Sequence, residues 1–336
     1  MQYALHTTFD TVDRAAWKTL LKNSTIDSPF LQYGYQRIWW EHQGGGEWPQ
    51  ADLAIVTATN NDNELAGIAP LFLDRKSQKL LFIGSIEISD YLDFICSPQQ
   101  MDLFLRGLLR FIKEGHVYGV QHMRLYNIPD HSPSITSLTK IEEEGPWDVA
   151  ITQAYHTPAI PLPGDWDTYL AEIDKKQRHE IRRKMRRSRD AQESITWYIA
   201  NDPSQMHAEI ESFFDLMKFD PHKVDFLTKV MEDQMRAILN WAYQAGVLQL
   251  SFLTIDGNKA AGYICLDYGN RMYVYNSGYD PAFRSFSPGW VLLSYLIQHA
   301  ISSKKKVFDF MRGDEKYKYK FGGRDSFVMK AEIRAA

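Results

Sequence analysis

The amino-acid sequence predicts an α/β protein made of two copies of one fold, each copy a mostly antiparallel mixed sheet flanked by helices. Three observations carry that expectation. A β-meander occurs twice, an amphipathic helix follows each occurrence, and one further strand follows each helix. The first meander spans residues 53–57, 65–72 and 79–84, and Asn60-Asn61-Asp62-Asn63 makes its first turn. The second spans residues 250–254, 260–266 and 272–278 and turns at Asp256-Gly257-Asn258. In both, β-branched and aromatic residues lie between turn formers, which is the strand pattern. Gly67 and Gly84 stand 17 residues apart, and Gly262 and Gly278 stand 16 apart. The helices are expected at 101–113 and 290–301, and the strands that follow them at 123–126 and 307–310.

The first copy is expected to occupy residues 1–157 and the second 158–336. Pro158, Pro161, Pro163 and Gly164 mark the crossing between them, and Asp165 is placed to cap the next helix. Near the start, Tyr35, Trp39 and Trp40 lie on a short helix that Gly44-Gly45-Gly46 stops. Those rings read as core filling rather than as a stacking platform for a ligand.

A chain of 336 residues is long enough for two domains, and 44% hydrophobic with 24% charged residues supports packed cores. The net charge is only −4, so binding to a polyanion must come from local charge. No apolar run reaches the ~18–20 residues that span a bilayer. Residues 1–6 lack the basic-then-apolar order of a signal peptide, and a cytoplasmic location is expected. Cys96 and Cys265 read as small buried hydrophobes, with no disulfide framework. The ten histidines are scattered, so no metal is expected.

The copies differ where chemistry is usually placed, in the loop beyond a strand end. After its last strand the first copy offers only the turn Asn127-Ile128-Pro129-Asp130. The second delivers Asp309 to a glycine turn, followed by Gly313, Asp314, Glu315, Lys316, Tyr317 and Lys318. The second copy is therefore the expected active half and the first a degenerate scaffold. Asp309 has two readings, a base or a cap that bonds the loop's own N–H groups.

Two features suit phosphate. Arg284, Phe286, Ser287, Pro288 and Gly289 join a strand to a helix start, where unpaired N–H groups and the helix dipole favour an anion. Residues 175–189 carry nine Lys or Arg and one acid, Glu180. Like charges at that density repel one another along a helix. Such a helix therefore points to an anionic partner, a phosphorylated cofactor or a nucleic acid, unless acids elsewhere in the fold pair with it. Lys176, Arg178 and Arg182 are its candidate phosphate contacts.

The meander, the Arg284-x-x-Ser287-Pro288-Gly289 turn and the Asp309-x-x-x-Gly313-Asp314-x-x-Tyr317-Lys318 loop together resemble the CelD-like acetyltransferase family of the GNAT superfamily. The paired layout with a basic helix also resembles the Fem-type aminoacyltransferases, which use aminoacyl-tRNA. The resemblance covers about residues 25–325 and is strongest over 165–322. It departs at Ser287, where the superfamily's phosphate turn has its first glycine, and at residues 217–226, which replace a His/Arg-rich segment. It implies tandem GNAT-like domains and acyl transfer from acetyl-CoA or another acyl-CoA to an amine or hydroxyl. The acceptor would be a small molecule, sugar or peptide. Arg284, Phe286, Ser287 and Gly289 would hold the pyrophosphate. Asp309 would serve as base or acceptor orienter, Tyr317 as acid to the departing thiolate, Lys318 would bind an anionic substrate group or the cofactor, and Gly313 and Asp314 would bind substrate or phosphate. A tRNA-borne donor is the alternative, and a non-catalytic binding module is the third reading.

Overall fold

The computed structural model describes residues 1–145 and 147–335, which form two compact units. Unit 1 comprises Met1–Tyr155 with Phe327–Ala336, and unit 2 comprises His156–Ser326.

In unit 1 the chain runs β1 (Gln2–His6), α1 (Arg14–Lys22), α2 (Tyr33–Glu41), β2 (Ala51–Thr59), β3 (Leu65–Asp74), β4 (Lys79–Phe82), β5 (Ile95–Cys96), α3 (Met101–Lys113), β6 (His122–Pro129), α4 (Pro133–Glu144) and β7 (Trp147–His156). The order across its sheet is β1-β2-β3-β4-β6, then the chain's last strand, then β7, with β5 pairing β3. All these pairings are antiparallel where their sense is defined, except β4 with β6, which α3 connects. A parallel pair needs such a crossover. Tyr35 and Trp39 are buried in the core, as their apolar bulk dictates. Gly67 is required by packing, because a Cβ there would lie 2.3 Å from the Phe104 ring of α3.

Unit 2 repeats the plan. Its elements are β8 (Ala159–Pro161), α5 (Trp166–Glu172), α6 (Lys175–Arg189), β9 (Ile195–Ile199), α7 (Met206–Met217), α8 (Pro221–Phe226), α9 (Lys229–Gln244), β10 (Leu248–Ile255), β11 (Asn258–Tyr268), β12 (Arg271–Tyr279), α10 (Pro288–Ser302), β13 (Val307–Asp309) and α11 (Lys316–Lys320). The sheet order is β8-β13-β12-β11-β10-β9, and only β12 with β13 is parallel. Helix α10 is apolar nearly all round, with Val291, Leu292, Leu293, Leu296, Ile297 and Ile301 buried. A helix of that kind belongs inside a domain. It packs on β10, β11 and β12, while α7 and α9 also contact this sheet.

One boundary differs from the sequence expectation. The sequence expectation places the last strand, β14 (Phe327–Ala335), with residues 158–336 in the second copy, yet it pairs with β6 and lies between β6 and β7 of unit 1. Val328, Ala331 and Ile333 bury themselves there. Strand alternation specifies which face is apolar but not which sheet the strand joins, so nothing local marks the return.

No helix among the described residues is long and apolar enough to cross a membrane. No group of three or more His, Cys, Asp or Glu among them could hold a metal ion.

Candidate active site in unit 2

The site begins where two strands part. The parallel ladder of β12 and β13 ends at Tyr273 and Asp309, while β12 runs on to Tyr279 without β13 beside it. In that stretch Val274 opposes Cys265 and Asn276 opposes Ile264, so Tyr275 is the extra residue of a β-bulge. Diverging C-terminal ends of neighbouring strands are where open α/β sheets take ligands. The chain then makes a 3-10 turn over Pro281–Phe286 and enters α10.

The start of α10 has the features an anion needs. Ser287 is left-handed at φ 53° and caps the helix without a side-chain hydrogen bond. Pro288 has no N–H to offer, and the Gly289 and Trp290 N–H groups have no acceptor among the described residues. A Cβ built on Gly289 would meet nothing within 4 Å, so the approach is open. The indole N–H of Trp290, buried beside the turn, also has no partner among the described residues. Arg284 is exposed and makes no ion pair among them. These donors fit a diphosphate, with Phe286 half-buried at the edge of the core.

Sequence reasoning missed the cation that serves this turn. Lys184 of α6 donates to Ser287 Oγ at 3.2 Å and stands 4.5 Å from the Trp290 ring centre. Burial lowers its pKa, while Glu180 at 3.6 Å works the other way. Lys184 follows the buried Ile181 by three positions and so borders the buried face of α6. That position was readable; its partner 103 residues further along was not.

The other expected phosphate contacts on α6 separate. Lys176 is exposed and lies away from the turn's hydrogen bonds. Arg178 donates to the Leu170 and Ala171 carbonyls at 3.4 and 3.3 Å and so closes the end of α5, a structural role. Arg182 reaches Asp167 at 3.9 Å and lines a groove of about 650 Å³ with Trp166, His179, Arg186, Arg189 and Tyr295. Arg186, Arg187 and Arg189 make no ion pair among the described residues. The acids elsewhere in the fold thus leave this end of the helix uncompensated.

The loop after β13 is held from inside. Asp309 is fully buried; its Oδ2 accepts from Arg271 Nη1 at 2.7 Å and its Oδ1 from the Met311 N–H at 2.8 Å. It therefore performs the capping reading, and its depth works against direct proton exchange with an acceptor. Lys318 is also buried. Its Nζ donates to the Met311, Arg312 and Gly313 carbonyls at 3.3, 2.5 and 3.1 Å and pairs with Glu315 at 2.9 Å. An ammonium has three protons, so the loop engages Lys318 in full, and the expected substrate contact gives way to a structural one. Gly313 adopts φ +110° and donates its N–H to the His156 carbonyl at 2.9 Å, which makes it a turn residue rather than a substrate contact. Asp314 is exposed on the loop. Tyr317 packs edge-on to Phe310, with ring centres 6.1 Å apart, and burial keeps its hydroxyl protonated well above its ordinary range.

Residues 175–319 match the family model described as acetyltransferase (GNAT) domain. That span starts at the first residue of α6 and ends within α11, so it contains Lys184, the α10 turn and the Asp309 loop. The GNAT match supports acyltransferase activity in general. Among solved structures, FemX aligns with a TM-score of 0.68 and 12% identity over 98% of this chain and 97% of that one. A conserved protein of unknown function from Bacteroides thetaiotaomicron VPI-5482 aligns at 0.62 and 13% over 99% and 100%. A tandem GNAT protein from the clavulanic acid biosynthesis pathway aligns at 0.51 and 10% over 98% and 97%. At these identities the likeness is one of fold, and it extends over both units. A search of curated proteins by sequence gave no match.

Proposed function

We propose that unit 2 is an acyltransferase of the CelD-like kind that moves an acyl group from acetyl-CoA or another acyl-CoA to an amine or hydroxyl of a small-molecule, sugar or peptide acceptor. The observation that carries this reading is the start of α10. Two backbone N–H groups there lack acceptors among the described residues, open space lies over Gly289, and Arg284 and Lys184 flank the turn. When bound, the thioester supplies an activated acyl group and a good leaving group. The protein's own part is to hold, orient and donate. Gly289, Trp290, Arg284 and Lys184 hold the diphosphate, and Ser287 positions Lys184. Tyr317, neutral at pH 7, passes its hydroxyl proton to the departing thiolate as that C–S bond breaks and recovers one from the acceptor's N–H or O–H as the new acyl bond forms. Asp309 and Lys318 keep the loop that carries Tyr317 in place. Holding the two substrates together supplies much of the rate enhancement. Unit 1 acts as scaffold.

Thermal unfolding in the presence of free CoA and a panel of acyl-CoAs tests the donor. A ligand at about 100 times its dissociation constant adds ~2.7 kcal/mol to the state that binds it. Absence of any shift across the panel would remove acyl-CoA as donor.

A second reading, transfer from an aminoacyl-tRNA as in Fem-type enzymes, is favoured by one observation, the groove of about 650 Å³ that Arg182, Arg186 and Arg189 line. It requires RNA affinity that falls steeply with salt, and Arg186→Glu with Arg189→Glu should reduce both the affinity and the slope. A slope unchanged by the double variant would dismiss it.

A further inference from the structure

Lys223 of α8 carries a largely buried ammonium with no ion pair among the described residues. Its Nζ donates to Asn276 Oδ1 at 2.9 Å and to the Ser277 carbonyl oxygen, both on the part of β12 that has left β13. Two of its three protons are thereby used and one is left over. The acids that face it are engaged elsewhere. Asp220 accepts the His222 N–H at 3.0 Å and caps α8, and Glu315 pairs with Lys318 at 2.9 Å. Among the described residues no carboxylate stands within 4.0 Å of Nζ. Burial accordingly lowers the pKa of Lys223, and the more distant Asp220 and Glu315 offset part of that.

Lys223 lines a pocket of about 330 Å³ with Leu216, Phe219, Asp220, Ser277, Gly278 and Tyr279. Two large rings stand open at its rim, Phe219 at 50% and Tyr279 at 49% exposed, and Asp220 adds a carboxylate to the lining. Large exposed rings around a concave surface mark a binding site more often than a bare surface. A desolvated cation without a counterion is costly, and an anionic group arriving with the ligand relieves that cost. This pocket adjoins the diverging end of β12, on the segment of residues 217–226 that departs from the family pattern.

We propose that this pocket is the acceptor subsite and that it takes a molecule with an aromatic or aliphatic body whose carboxylate binds Lys223. The proposal rests on the acyltransferase reading for the word acceptor, while the ligand chemistry rests on the pocket alone.

Calorimetric titration with 3-phenylpropionate and with its uncharged amide tests it on the full chain. The acid is expected to bind at least about tenfold more tightly than the amide, as a charge-assisted hydrogen bond allows. Lys223→Met should bind the two probes equally, Lys223→Arg should retain the preference, and Phe219→Ala should weaken both probes. A wild-type chain that binds neither probe, or both alike, overturns the proposal, as does a Lys223→Met chain that keeps the preference. Phe219 is half exposed, so its alanine variant gives a second measure should Lys223→Met fail to fold. The CoA-induced thermal shift is measured in parallel. If CoA fails to shift the wild type while the acid preference holds, the donor reading falls and the pocket stands.

Discussion

Asp93 is fully enclosed in unit 1, where Ser132 and Ser134 donate to its carboxylate and the Phe94 N–H adds a bond at 2.8 Å. Burial outweighs those three bonds and raises its pKa from 3.8 to about 6. The folded state therefore keeps this proton at a pH where the unfolded chain has released it. The resulting stabilisation is complete below the unfolded value, and it is lost as pH rises through about 6. Asp93→Asn, which keeps the shape without the charge, should gain roughly 2–3 kcal/mol on the wild type above that range and match it in acid. Denaturant titrations at acid, intermediate and neutral pH check this, and equal differences at all three would refute it. At Gly289 stability and function should move in opposite directions. Open space surrounds its Cβ position, so Gly289→Ala should stabilise α10 by about 0.5–1 kcal/mol. The same methyl group, placed where the proposed diphosphate approaches, should weaken CoA. Thermal unfolding with and without CoA reads both effects.

Among the elements, β12 sets the geometry of the site. Gly278 pairs with Gly262 on β11, and a Cβ at Gly278 would lie 2.7 Å from the Leu216 backbone at the end of α7. A backbone atom cannot swing aside as a side chain can. Gly278→Ala should therefore destabilise unit 2 by about 1–3 kcal/mol and distort the pocket that holds Lys223. A variant as stable as the wild type in denaturant would show that α7 slides freely over the sheet. Helix α6 combines two influences. Asp174 caps its start by accepting the Lys176 and Gln177 N–H groups, and Arg186, Arg187 and Arg189 sit in its last turn, where the helix dipole favours cations. The dipole thus offsets part of a repulsion that the nearby acids leave standing.

For the whole molecule, β14 sends the chain back from unit 2 to unit 1, between β6 and β7. A chain ending at Ser326 should lose a large part of unit 1's stability, because two strand edges would lose their partner. Calorimetry would show the unit 1 transition lowered and a CoA-sensitive unit 2 transition retained; loss of both together would mean that the units unfold as one. Much of this architecture was readable from the residues. The doubled meander, the helices after it and the 175–189 basic helix follow from periodicity and capping, which are local properties of consecutive residues. The α10 turn was readable too, because Ser-Pro-Gly chemistry at a helix start is local. By contrast, side-chain partners far apart in sequence were not readable. Asp309 reads from sequence as base or cap and Lys318 as a substrate or cofactor contact, and both hold the loop, whereas nothing local singles out Lys184 within the basic helix or Lys223, which reach Ser287 and β12. By itself the sequence determined the elements, their order and their duplication, since backbone preference and apolar period act over a few residues. Tertiary structure alone decided which sheet β14 joins and which cations have no counterion among the described residues, because burial and pairing depend on distances that only the folded chain defines.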